Sequence, residues 1–260
     1  MDSQLLIHEM AVPVSAERHG DWSLKTANDF GFCASVNSVP LMTVEFFNAA
    51  SEYAIVFSET DEGVMPSVML GLDRDENRYL SDVGGWQARY VPAFVRRYPF
   101  VYSLSDDGRK FELCVDESFP HFNIEGRGER LFTSDKNPSP YLGRMLRFLE
   151  QYQLEFERTR SFCDKLLAFG LLEPICAETA TGKGESLSLD GLMAVNRDKA
   201  RSLAADKLSE LARSDEFGLL QLHLHSMRNF PAVIENSIGK ALVSLGHASV
   251  RGSEVASSGR

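Results

Sequence analysis

"NPSPYLGRMLRFLEQYQLEFERTRSFCDKLLAFGLL", residues Asn137–Leu172, is the stretch that decides the fold class. Ser139 is a good helix N-cap, because its hydroxyl can accept an amide proton that the first turn leaves unpaired. Pro140 suits the first helical position, where no amide proton is needed, and Gly170 can take the left-handed conformation that ends a helix. Between them Leu142, Met145, Leu149, Tyr152, Phe156, Phe162, Cys163 and Leu166 recur at three- and four-residue spacing. The pattern predicts one helix of roughly 30 residues, about 45 Å long at 1.5 Å per residue. That exceeds the need of a single small core, so one end can reach towards a partner; packing across the domain is the default.

Upstream, from about Phe30 to Ile124, the periodicity changes. "AIVFSE" (54–59), "SVMLGL" (67–72), "RYLS" (78–81) and "FELCVDE" (111–117) are short apolar or β-branched runs between Asp, Gly and Pro clusters, and they read as strands. "VPLMTVEFFNAASEY" (39–53) reads as a helix, with Leu41, Val44, Phe47 and Ala50 at three-residue spacing. In "GGWQARYVPAFVRRYPF" (84–100), Pro92 opens a short helix and Pro99 stops it, which turns Phe94, Val95 and Tyr98 inward and sends Arg96 and Arg97 in different directions. Downstream of the long helix, "AETATGKGESLSLDG" (177–191) reads as an exposed linker, followed by a strand "GLMAVN" and two or three helices through "RDKARSLA", "DKLSELARS" and "GLLQLHLHSMRNFPAVIENS". The expected fold is α+β. A strand-rich part, 1–135, carries a mixed or antiparallel sheet; a helical part, 136–240, packs on it as one composite domain, and 241–260 form a disordered tail.

Composition narrows the function classes. A formal net charge of -10 and a pI near 5.1 argue against nucleic acid as partner, which needs a cationic surface to release counterions. The amino-terminal "MDSQLLIHEMAVPVSAERHGDWSL" has no basic segment followed by a sustained apolar run, and no later segment approaches the roughly 18 apolar residues of a membrane span. The expectation is a soluble, cytoplasmic protein without transmembrane segments. Cys33, Cys114, Cys163 and Cys176 form no CxxC pair, so reduced, mostly buried thiols are expected.

Few residues carry a chemical signal. "LGLDRDENRYLSDVGGW" (70–86) begins like a calcium loop with Asp73, Asp75 and Asn77, yet Arg78 stands where that loop needs glycine and Gly84 where it needs a bidentate glutamate. A hairpin between "SVMLGL" and "RYLS" is the better reading. His223 and His225 are the best metal candidates: on a strand both face one side, whereas on a helix they diverge by roughly 200°. Context favours the helix. Asp116 and Glu117 can serve as acid and base or as ligands, but neighbours on a strand face opposite ways. These four residues make up the alternative reading, a metal-dependent oxygenase or other modifying enzyme with a dispersed site, with non-haem iron as its cofactor. Dinucleotide, phosphate-loop and nucleophile-elbow motifs are absent. What remains is a concentration of aromatic and arginine side chains, Trp86, Tyr90, Arg96, Arg97 and Tyr98, the types enriched where proteins bind partners. Each ring can also simply stitch the short helix to the sheet.

In order along the chain, "NSVPLMTVEFFNAASEYAIVF", "MLGLDRDENRYL", "GGWQARYVPAFVRRYPF", "CVDES", "FLEQYQLEFERTRSFCDKL" and "GLLQLHLHSMRN" resemble the bacterial SapC-like family, from about Met10 to about Ile234. The family takes its name from a surface-array, or S-layer, locus. The resemblance implies an accessory role in surface-layer biogenesis or export, or in a pathway linked to TonB-dependent receptors, with halogenase-like or cupin-like proteins as candidate partners. It supplies no catalytic residues. A permease label carried by some relatives conflicts with the lack of any apolar span in this sequence. The expectation is a non-catalytic accessory protein that binds a protein or peptide and has no cofactor.

Overall fold

The computed structural model describes residues 6–25, 28–60, 63–73, 75–104, 111–178 and 186–233. The tail at 241–260 and the middle of the linker, 179–185, lie outside the described residues. The first elements are β1 (Ala11–Pro13), α1 (Ala16–His19), β2 (Ser23–Leu24), β3 (Ser38–Pro40), α2 (Phe46–Ala49), β4 (Ile55–Thr60) and β5 (Gly63–Met69). Then come α3 (Ala93–Arg96), β6 (Phe100–Leu104), β7 (Phe111–Asp116), β8 (Phe122–Asn123), β9 (Glu129–Arg130) and α4 (Pro140–Ala168). The remainder is β10 (Leu172–Glu178), β11 (Ser186–Val195), α5 (Arg197–Arg201), α6 (Ala205–Arg213) and α7 (Glu216–Ser226).

The main sheet has five strands in the order β10-β11-β4-β5-β3, and every neighbouring pair is antiparallel. β4 is apolar at consecutive positions because both its faces are covered. Ile55 and Phe57 join the principal core with Phe46 of α2, Leu220 of α7 and Tyr152, Phe156, Phe162, Cys163 and Leu166 of α4. Val56, on the opposite face, packs with Met69, Ile175, Phe230 and Val233. Two three-stranded sheets, β1-β7-β6 and β8-β2-β9, build a second core with Leu24, Phe100, Val115, Leu131 and the first half of α4.

α4 matches its sequence signature. The Ser139 hydroxyl accepts from the Leu142 amide, Pro140 opens the helix, and Gly170 follows it at φ 67°. Its 29 residues span both cores: Leu142 and Leu149 sit in the second, Tyr152, Phe156, Phe162 and Leu166 in the principal one. Its length is spent inside the molecule, and neither end projects free.

Elsewhere the chain departs from its local pattern. Residues 39–53 are not one helix. Val39 and Pro40 pair with β5, and helical structure begins only with a 3-10 turn at Thr43–Glu45 that runs into the four residues of α2. "SVMLGL" and "RYLS" do not form a hairpin either: β5 pairs with β3 and β4, while Leu80 makes an isolated bridge to Trp86. β5 is central in the sheet, and both its edges are already taken. The segment read as a linker is partly strand, with Ser186–Glu178 and Leu187–Ala177 in register. The alternation "SLSL" is a strand pattern that a polar composition concealed. β10 and β11 also carry the main sheet across residue 135, so the two halves share it. Cys33, Cys114 and Cys163 are buried free thiols.

Candidate functional site

A cleft of about 600 Å³ opens where three segments meet: the turn into α2, the approach to α3, and the middle of α4. Met42, Val44, Glu45 and Asn48 form one wall, Arg89, Tyr90, Val91, Ala93 and Arg96 the second, and Phe148, Gln151, Tyr152 and Glu155 the third. The four α4 residues fall at i, i+3, i+4 and i+7, one face of the helix. Val44, in the wall, is 62% exposed, and Phe47, one helical turn on, is 79% exposed. The volume lies within the range of ligand-binding clefts.

Glu45 holds two of the walls together. Its Oε1 accepts from the Tyr90 hydroxyl and the Ala93 amide, each at 2.7 Å, and its Oε2 accepts from the Met42 amide at 2.8 Å. Burial pushes its carboxyl above the usual carboxylate range, against the pull of those donors and of the nearby Arg96 charge. It caps the 3-10 turn and the start of α3 at once. That use of both oxygens makes Glu45 a scaffold group.

The third wall is fixed by a buried hydroxyl. The Thr43 amide donates to Thr159 Oγ1 at 2.9 Å, and this hydroxyl donates to the Glu155 carbonyl at 2.7 Å. Thr159→Val keeps the shape but leaves the Thr43 amide without its acceptor. The expected loss is about 1–3 kcal/mol in urea denaturation with an unchanged m-value. A loss under about 0.5 kcal/mol would show that this bond does not fix the wall.

Of the five aromatic and arginine residues singled out in the sequence, Tyr90 and Arg96 line the cleft. Arg96 is exposed, donates through Nε to the Val91 carbonyl at 3.0 Å, and lies over the rings of Tyr90 and Phe148 at 5.7 and 5.4 Å. Trp86 stands behind this wall: its Nε1 donates to the Tyr53 hydroxyl at 2.7 Å, which in turn donates to the Tyr90 carbonyl. Arg97 must be removed from any surface site. It is only 1% exposed, with its cation over Phe94 at 4.2 Å and Tyr152 at 5.0 Å. The turn of about 100° between consecutive helical residues sends Arg96 out and Arg97 into the core. Tyr98 belongs to another cluster, stacked on Phe32 at 4.0 Å with its hydroxyl donating to Asp116.

The residues of the metal reading are dispersed. His223 and His225 lie on α7, the first buried and the second exposed, as the helical geometry requires. His223 Nε2 accepts from the Val195 amide at 3.0 Å, and burial lowers its pKa to about 4. Asp116 is buried at the end of β7, where its carboxylate gathers the amides of Glu9, Met10 and Ser118. Glu117 turns the other way and is clamped by Arg18 and by His19 Nε2. Among the described residues no group of three or more His, Cys, Asp or Glu is placed to hold a metal ion. Asn77, from the calcium-like stretch, spends its side-chain oxygen on the Tyr79 amide.

Sequence reasoning missed Met42, Val44, Glu45, Arg89, Phe148 and Tyr152 as cleft residues. One signal was present: "LMTVEFF" (41–47) is more apolar than a single helix face can bury, so part of it had to remain exposed.

Among the described residues no helix is long and apolar enough to cross a membrane. A family model described as SapC matches residues 14–233. No curated protein and no solved structure matches the chain.

Proposed function

The chain belongs to the SapC family, and from that premise together with the cleft geometry we propose that it is a non-catalytic accessory protein that binds a protein or peptide partner. The observation that carries this reading is the cleft itself: an apolar trough with the exposed Val44 in its wall, whose buried carboxylate is committed to holding its walls. Such a site offers area and directed polar ends and no free acid–base pair. The setting in a cell-surface, S-layer or TonB-linked pathway, and halogenase-like or cupin-like proteins as partner candidates, rest on the family resemblance alone.

A photo-crosslinking residue at Asn48, which lines the cleft, tests the reading in the native host. The control position is Ile124, 72% exposed and outside the cleft. The expected result is one protein cross-linked at a defined peptide from position 48 and not from 124. Equal labelling from both positions, or none from 48, would overturn the proposal. A small molecule retained at one per chain in native mass spectrometry, and lost in Phe148→Asp, would replace it with a small-ligand site.

A further inference from the structure

The rim of the cleft carries a charge opposite to that of the chain. The protein has a net charge of -10, so it repels acidic segments over most of its surface. Yet Arg89 and Arg96 both line the cleft and are exposed, and among the described residues neither closes an ion pair. Acids do lie near them, Glu45 within reach of the Arg96 charge and Glu52 on the Arg89 and Tyr90 amides, but neither makes an ion pair with a guanidinium. Glu45 is 3% exposed and spends its oxygens on Met42, Tyr90 and Ala93. Glu155 accepts from Arg158 and Gln151, each at 2.7 Å.

Arg96 is also held in advance. Its Nε is tied to Val91, its Nη2 reaches the Tyr90 hydroxyl at 3.4 Å, and two rings lie beneath the guanidinium. A planar cation already ordered loses little further freedom when it takes a carboxylate. Met42, Val91 and Phe148 line the same cleft and offer apolar surface to one large side chain, and methionine adapts to its shape.

We infer that the cleft selects an acidic–apolar peptide segment, one large apolar side chain flanked by carboxylate side chains that meet Arg89 and Arg96. Two cations at the rim call for two carboxylates, which the acidic side chains of an internal segment supply on either side of its apolar residue. This inference rests on the partner-binding reading above and names the chemistry of what is bound.

The test is affinity selection of short random peptides on the full-length chain, followed by titration of an acetylated and amidated peptide centred on Glu-Phe-Glu. Acidic residues are expected on either side of the selected apolar residue. Arg96→Gln and Arg89→Gln should each weaken the Glu-Phe-Glu peptide about tenfold, the size of one charge-assisted hydrogen bond, and added salt should weaken it further. Arg96→Glu should prefer the Lys-Phe-Lys counterpart over Glu-Phe-Glu. Far-UV circular dichroism confirms that each variant is folded, and the exposed Arg89 keeps the test open if Arg96 variants are not. Selected peptides that depend on Phe148 but lack acids, or that ignore both arginines, overturn the acidic inference and leave partner binding standing. If no peptide depends on Phe148, both fall.

Discussion

Arg97→Ala is expected to cost about 3 kcal/mol or more of folding stability, while Arg96→Ala, its immediate neighbour, costs less than about 1 kcal/mol. Arg97 is among the largest fully buried side chains of the protein, and its guanidinium lies over Phe94 and Tyr152 in the principal core. Removing it leaves a cavity beneath two rings and takes away the cation they face. Burial also lowers the Arg97 pKa, the sign of a charge held where water is scarce. Arg97→Met retains most of the stem and its packing, so it should recover part of the loss. Arg96, by contrast, is exposed, and its loss should register in partner capture. Urea denaturation of the three variants checks the stability half. A loss under about 1 kcal/mol for Arg97→Ala would show that the core refills the space. A double substitution of both arginines would confound the two effects, because only one of them reaches solvent.

Asp116→Ala is expected to release the amino-terminal segment and to cost roughly 3 kcal/mol, since several donors lose a charged acceptor together. The Asp116 carboxylate accepts from the amides of Glu9 at 2.7 Å, Met10 at 3.2 Å and Ser118 at 3.0 Å, and from the Ser118 hydroxyl at 2.7 Å. The Tyr98 hydroxyl adds a further bond at 3.3 Å. These contacts fasten residues just before β1, whose Ala11 pairs with Asp116 itself. Hydrogen exchange at Glu9 and Met10 should therefore accelerate in the variant, and unchanged protection there would show that β1 holds the segment without the carboxylate.

The pH dependence follows from the same cluster. Burial by itself pushes the Asp116 carboxyl up, but the bonds from Ser118, Glu9 and Met10 together hold it below 3.8. A carboxylate with a depressed folded-state pKa contributes stability above its unfolded pKa and loses it as pH falls through the folded one. The stability gap between the wild-type chain and Asp116→Asn should stay constant from neutral pH down to about 4 and shrink below that. A gap that closes already near neutral pH would mean that another group governs the segment.

Much of the architecture was legible because it is carried by local rules. The cap at Ser139, the proline at position 140, the glycine at position 170 and the apolar repeat between them all act within a turn or two of helix, so α4 could be read with its ends. β4 and β7 announced themselves by apolar and β-branched runs, and Pro92 marked the start of α3. Local rules failed where a neighbour in space overrode them. Val39 and Pro40 pair with β5 in place of extending a helix, and the start of β11 is a strand because β10 pairs with it there. The sequence also predicted that Arg96 and Arg97 diverge, without saying which one faces the core.

The sequence by itself determined the α+β class, the long helix with both its caps, the lack of a long apolar helix among the described residues and the family, since each is encoded in short-range spacing, composition or the order of motifs along the chain. Only the tertiary structure decided the cleft. Its walls come from residues 42–48, 89–96 and 148–155, and they are joined by bonds such as Thr43 to Thr159 and Glu45 to Ala93 that span 116 and 48 positions. Such bonds form because a buried amide or carboxylate must find a partner wherever the chain has placed one, and that requirement leaves no periodic trace in the residues on either side.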